Sequence, residues 1–159
     1  MVRSLNQKAY SVSVLRDAAR RVLPKPVFDF IDGGAEDEVT RRRNESAFED
    51  YAFRPAPLNG VAAVDLSVEL FGRRLALPVL IGPTGLAGMT WPKGEVEAAR
   101  AARAAGTVYC MSHGSTVSIE DLKAKIPDGL WYQVFMYRDR GLTRAMAERA
   151  QSAGYEALV

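Results

Sequence analysis

The sequence predicts an α/β fold built on a parallel sheet, and three observations predict it. The stretch Pro78-Val79-Leu80-Ile81-Gly82-Pro83-Thr84-Gly85-Leu86-Ala87-Gly88-Met89 is an apolar run that breaks abruptly in Gly-Pro-Thr-Gly. Such a run suits a strand buried on both faces, followed by a loop whose backbone bends sharply or lies close to another group. Everything after it repeats one unit of helix, strand and turn. The strands lack long apolar–polar alternation, which is the pattern of a sheet covered on both faces.

The elements follow in order. Residues 12–23 place Val14, Leu15, Ala18, Ala19, Val22 and Leu23 at helical spacing, with Ser11 or Ser13 as cap and Pro24 as stop. A second helix, about 26–32, opens at Pro26 and stops at Gly33-Gly34. A third, about 35–48, has Glu36, Asp37 and Glu38 at its start and Arg41-Arg42-Arg43 later, which complements the helix macrodipole. Leu66–Phe71 and Arg74–Leu77, joined by Gly72-Arg73, read as a β-hairpin. Strand Val79–Pro83 then leads to an Ala-rich helix at about 93–105, closed by Gly106. Strand Thr107–Ser112 is followed by a short helix capped by Ser118, then the turn Pro127-Asp128-Gly129. Strand Leu130–Tyr137, a helix at about 139–153 and a last strand at Tyr155–Val159 complete the chain.

Two architectures fit this alternation, an open doubly wound sheet and a (β/α)8 barrel. The open sheet calls for a G-x-G-x-x-G turn after its first strand, and a phosphate loop calls for Gly-Lys-Ser/Thr; neither is present. The barrel fits better but needs about 250 residues, and the chain has 159. The expectation is therefore the N-terminal part of a (β/α)8 TIM barrel, preceded by helices and a β-hairpin, in a longer protein. It is organised as a single incomplete domain: a helical segment and linker over 1–65, the hairpin over 66–77, and three βα units plus a fourth strand over 78–159.

Composition narrows the class of protein. A hydrophobic share of 48% with 25% charged residues is that of a globular chain and excludes a disordered or fibrous one. The formal net charge of +2 is too small to point to nucleic acid. A single cysteine, Cys110, excludes an internal disulfide and fits a reducing, cytoplasmic compartment. No signal peptide is expected, and Leu75–Met89 is too short and too broken by Pro and Gly to span a bilayer.

Several separated motifs carry a family resemblance. Phe28-Asp29-Phe30-Ile31-Asp32-Gly33-Gly34-Ala35-Glu36-Asp37-Glu38, Phe53-Arg54-Pro55, Leu77-Pro78 with Gly82-Pro83-Thr84-Gly85, Trp91-Pro92-Lys93-Gly94-Glu95, Ser118-Ile119-Glu120-Asp121-Leu122 and Trp131-Tyr132-Gln133 occur in this order. Together they resemble the FMN-dependent 2-hydroxy acid oxidases and dehydrogenases, over essentially all of residues 12–159. Gly85 and the Trp-Pro-Lys-Gly run look most like the mandelate dehydrogenase branch.

The resemblance implies FMN at the C-terminal ends of the barrel strands and oxidation of a 2-hydroxy acid to a 2-oxo acid. The hydride passes to flavin N5, and a mandelate-like substrate is favoured. It implies that the backbone at Pro83, Thr84 and Gly85 lies against the isoalloxazine ring, and that Ser112 and Gln133 hydrogen-bond the ring's polar edge. Phe30, Gly114 and Phe135 fall at substrate-side positions. The family has tyrosine at the places of Phe30 and Phe135, so two hydroxyls are missing, each worth about 1.5–3 kcal/mol to a buried carboxylate. Gly114 stands where some members carry a bulky aromatic, which leaves room for a large substituent. These departures keep open an alternative, a family member that oxidises a larger non-carboxylate alcohol, or a flavin-binding or structural chain without hydroxy acid activity. No catalytic residue is expected within the chain. The family's catalytic histidine, its arginine partner and the phosphate loops align beyond Val159, as does the membrane segment of some members, and the 159 residues alone are expected to be inactive. The resemblance also implies a homo-oligomer, a tetramer in relatives, with oxygen, a quinone or another acceptor taking the electrons.

Other residues have plainer readings. His113, the only histidine, sits beside Ser112 and suits packing or loop hydrogen bonding, since one histidine makes no metal site. Cys110 suits a buried structural thiol, Trp131 and Tyr132 suit barrel packing, and Asp29 and Glu36 suit solvated acids on short helices.

Overall fold

The computed structural model describes residues 9–159, which form two units, 9–61 and 62–159. In the first, helices α1 (Val12–Val22), α2 (Lys25–Asp32) and α3 (Val39–Ser46) are followed by one 3-10 turn, Ala47–Asp50. Ser11 caps α1 by accepting from the Val14 N–H, and Pro24 separates α1 from α2. Arg16 on α1 makes a forked ion pair with Asp32 on α2, which holds the Asp32 carboxyl below its ordinary value. Phe28 is the buried residue of α2. Asp29 pairs with Lys25 on the helix surface. Gly33 ends α2 with extended backbone, and a Cβ there would lie 2.7 Å from the Asp29 carbonyl oxygen, so the position needs glycine.

The third helix departs from expectation. It starts at Val39, because Glu36 and Glu38 adopt left-handed backbone with φ of 47° and 55°. The three acids therefore precede the helix, and none lies in its first turn. Glu38 instead accepts from the Gly34 N–H and pairs with Arg41.

The second unit carries the α/β repeat. Its hairpin pairs β1 (Val68–Leu70) with β2 (Arg73–Leu75) in antiparallel register. The turn residues are Phe71-Gly72, not Gly72-Arg73. Both have positive φ, 50° and 74°, the twist that two-residue hairpin turns favour. Then come α4 (Ala87–Thr90), α5 (Gly94–Ala104), β3 (Tyr109–Met111), α6 (Ile119–Lys125), β4 (Leu130–Tyr132), α7 (Arg140–Ser152) and β5 (Ala157–Leu158). The short α4 was not expected. The expected strand Val79–Pro83 is reduced to one parallel bridge, Ile81 to Tyr109. Pro78 and Pro83 flank it and donate no ladder hydrogen bond. The expected strand over 130–137 is regular only to Tyr132.

β3, β4 and β5 are parallel and adjacent in chain order, with Ile81 beside β3. Sequential order is what a barrel requires; a doubly wound sheet reverses order partway. Alternation then sorts the core into two faces. Tyr109, Met111, Leu130 and Tyr132 pack under Val96 and Ala99 of α5, Leu122 of α6 and Ala150 of α7. Val108, Cys110 and Trp131 pack against Leu75 and Leu70 of the hairpin, and Phe71 meets Trp131 edge-on at 5.3 Å. Among the described residues, no helix is long and apolar enough to cross a membrane.

The N-terminal ends of the strands are tied down by charge. Arg73 pairs with Glu156 (2.8 Å) and Asp128 (3.8 Å), and Arg103 donates to Asp128 (2.8 Å). Glu156 also accepts from the Gly129 N–H at 2.7 Å. These contacts fasten the hairpin to the residues that enter β4 and β5.

Candidate cofactor site

The opposite, C-terminal ends of the strands bring three loops together. The first leaves Ile81. Gly82 to Gly85 are exposed, and their backbone groups make no backbone hydrogen bond among the described residues. Unpaired main-chain donors and acceptors at a surface take water or a ligand as partner. Leu86 turns the loop back by donating to the Gly114 carbonyl at 2.9 Å.

The second loop leaves β3 and the third leaves β4. Ser112 and Gln133 lie one step beyond the paired residues Cys110 and Trp131 on the same side of the sheet, as period-two alternation requires. The buried Ser112 hydroxyl accepts from the Gly114 N–H and donates to Gln133 Oε1, both at 3.2 Å. The His113 N–H donates to the same Gln133 oxygen at 3.4 Å. The Gln133 oxygen is thus held by two donors, while its amide nitrogen makes no hydrogen bond among the described residues.

Gly85 closes the group. A Cβ built there would sit 3.7 Å from the Gly114 carbonyl oxygen and from Ser112 Oγ, which is ordinary contact, and its φ is not in the left-handed region. Nothing in its own surroundings requires glycine, so the bare backbone is available to an outside group.

Gly88 is the reverse case. A Cβ there would come within 2.2 Å of Thr116 Oγ1. Thr116 in turn donates from its N–H (2.8 Å) and hydroxyl (2.9 Å) to Glu95, whose side chain is fully buried at the start of α5. Burial pushes the Glu95 carboxyl up. Hydrogen bonds from the Thr116 and Glu95 N–H groups, the Thr116 hydroxyl and the Gly88 N–H outweigh that and hold it below its ordinary value. One buried carboxylate therefore fixes α4 and the loop after β3 relative to each other. The Trp-Pro-Lys-Gly-Glu motif alone does not reveal this role of Glu95; its signal in the sequence is a place beside Val96, Ala99 and Ala102 on the apolar face of α5.

The remaining expected residues are placed as follows. Pro83 and Thr84 are exposed in the first loop, and the Thr84 hydroxyl makes no hydrogen bond among the described residues. Gly114 lies against Gly85, its built Cβ 3.8 Å from the Gly85 Cα. Phe135, half exposed, follows Gln133 in the loop after β4 and sits 5.1 Å from the His113 ring. Phe30 belongs to the first unit and is exposed on α2. His113 is hydrogen-bonded to the Tyr137 hydroxyl through Nε2 and to the Tyr132 hydroxyl through Nδ1 (3.4 Å). Cys110 is buried, and burial pushes its thiol up to about 11, so it stays protonated and inert. No group of three or more metal-ligating side chains occurs among the described residues.

Comparison with known proteins places the chain in a family. The FMN-dependent dehydrogenase family model matches residues 19–159. An L-lactate dehydrogenase of Caulobacter vibrioides is 44% identical over 149 residues, 94% of this chain and 39% of the relative. The (S)-mandelate dehydrogenase of Pseudomonas putida is 39% identical over 155 residues, 98% of this chain and 39% of the relative. The crystal structure of a soluble mutant of the membrane-associated (S)-mandelate dehydrogenase superposes with a TM-score of 0.88 at 40% identity, covering 94% of this chain and 43% of that one. A mandelate oxidase structure superposes at 0.86 and 37% identity, covering 94% of this chain and 43% of that one. The chain thus spans 39% of the length of these curated relatives.

Proposed function

The chain belongs to the family of FMN-dependent dehydrogenases, and from that premise we propose that Gly85, Ser112 and Gln133 form the ring-side wall of an FMN site. The protein is then an oxidoreductase that converts a 2-hydroxy acid to its 2-oxo acid, and the sheet is the opening part of a (β/α)8 barrel. The observation that carries this reading is Gly85. It is a glycine that neither its packing nor its φ demands, on an exposed loop with unpaired backbone, beside a polar pair at the strand ends.

In this reading the Pro83–Gly85 backbone lies flat against the isoalloxazine ring, which a side chain at 85 would keep away. The Gln133 amide donates to the ring's polar edge, and Ser112 and the His113 N–H hold the amide in the orientation that does so. Bound FMN would supply the two-electron acceptor for the hydride lost from the substrate's α-carbon. The residues of this chain orient the ring, and none of those placed here is assigned as the proton acceptor. Gly114 leaves space for an aromatic substituent, so a mandelate-like acid is the favoured substrate. Oxygen or a quinone reoxidises the flavin, and the protein assembles as a homotetramer.

A second reading rests on Phe135, which offers a substrate carboxylate no hydroxyl. A larger alcohol without a carboxylate would lose nothing there. One experiment separates the readings. The purified full-length protein is examined for a flavin absorption band and for the identity of the released cofactor, then assayed with mandelate, lactate and a bulky benzylic alcohol. A yellow protein that releases FMN and turns over mandelate is the expected result. Colourless protein overturns the cofactor site, and turnover of the alcohol alone favours the second reading.

A further inference from the structure

We propose that His113 is a positioning residue that sets the Phe135 ring at the mouth of the site and so tunes which 2-hydroxy acid is accepted. This rests on the reading that Phe135 faces the substrate. Phe135 is half exposed on a loop without regular structure, where a bare phenyl ring samples several rotamers. Its aromatic partner is the His113 imidazole, at a centroid distance of 5.1 Å and a tilt of 36°, inside the range where aromatic pairs attract.

The imidazole is itself held from two sides. The Tyr137 hydroxyl bonds Nε2 and the Tyr132 hydroxyl approaches Nδ1 at 3.4 Å. The Tyr137 ring also meets it edge-on at 5.0 Å. Tyr132 is buried in the sheet core, and Tyr137 is fixed because its N–H donates to Thr143 Oγ1 on α7 at 2.9 Å. The chain of contacts therefore runs from the rigid sheet and α7, through the imidazole, to the mobile-prone ring of Phe135. His113 also lines a cavity of about 280 Å³ together with Met111, Ser118, Tyr132, Met146 and Arg149. Removing the imidazole takes away the aromatic partner of the Phe135 ring and frees its rotamers. The proposed task of the His113 side chain is contact with Phe135, not with the reacting atoms, which separates it from catalysis.

The test uses the full-length protein and four forms: parent, His113→Ser, Phe135→Ala and the double variant. Flavin content and KM and kcat for mandelate and lactate are measured for each. His113→Ser is expected to raise KM for the better substrate by about threefold to tenfold, the factor an aromatic pair carries. Serine keeps the backbone N–H that bonds Gln133, and kcat changes by a smaller factor than KM. On the Phe135→Ala background the same substitution has no further effect, because the ring it positions is gone. Tyr137→Phe, which removes the hydroxyl and keeps the ring, shifts KM in the same direction by less. Equal KM in parent and His113→Ser, additive effects in the double variant, or loss of flavin in His113→Ser would each overturn the proposal. A parent without flavin would instead overturn the cofactor reading on which it rests.

Discussion

The two ends of the parallel strands are built on opposite terms. At the N-terminal end, charges are paired: Arg73 with Glu156 and Asp128, Arg103 with Asp128, and the Gly129 N–H with Glu156. At the C-terminal end, the loop over Gly82 to Gly85 makes no backbone hydrogen bond among the described residues, and the Gln133 amide nitrogen has no partner among them. The charges fixed nearby, Glu95 with Thr116 and Glu120 with Arg149, lie outside that loop. The difference teaches that in this fold the contacts that hold elements together and the groups that can meet a ligand sit at separate ends, as βα barrels arrange them. Substitutions at one end should therefore change stability and leave flavin alone, and the reverse at the other. Glu95 is the exception, a stabilising contact at the loop end.

Glu95→Ala has the largest expected effect. It leaves the Thr116 N–H without its acceptor and frees α4 from the loop after β3, at a cost of about 3 kcal/mol. Denaturant unfolding of the full-length protein measures it. The pH dependence follows from the lowered carboxyl pKa. Stability from the charged form is full above the ordinary value of 4.5 and is lost as pH falls through the lower folded value. Glu95→Gln keeps an acceptor and removes that acid-side loss. An acid-side slope unchanged in Glu95→Gln would show that the charge contributes nothing.

Arg73→Ala comes next. The guanidinium is partly exposed, so its ion pairs are screened, and the expected loss is about 1 kcal/mol. Flavin affinity should not change. A weaker flavin complex in this variant would mean that the hairpin end communicates with the loop end, and the separation of the two ends would fail.

Legibility in the sequence followed the range of the forces involved. Helix α1 was readable because six apolar residues recur at helical spacing and a serine stands at the cap. The start of α3 was not, because Glu36 and Glu38 adopt left-handed backbone with no glycine or asparagine to announce it. The helix α4 is held by Thr116, 26 residues beyond its last residue, through Glu95, which is itself 21 residues from Thr116, and Gly88 and Thr90 are poor helix formers. Ser112 and Gln133 were readable as polar residues at strand ends, and the structure brings them into one hydrogen bond. The partner of Phe135 was not readable, since the His113 contact joins two loops through the fold.

Gly85→Ala gives the smallest expected change in stability and the sharpest contrast between the ends. The built Cβ meets only ordinary contacts at 3.7 Å, and the backbone needs no left-handed φ, so unfolding free energy should stay within about 0.5 kcal/mol of the parent. Flavin affinity should fall about tenfold, because the added methyl stands between ring and backbone. Fluorescence titration of the deflavinated full-length protein with FMN measures the second quantity, and denaturant unfolding the first. A variant that binds FMN as the parent does would move the ring away from Gly85. A variant that loses stability instead would mean that the glycine serves the fold, and the C-terminal end would no longer differ in kind from the N-terminal one.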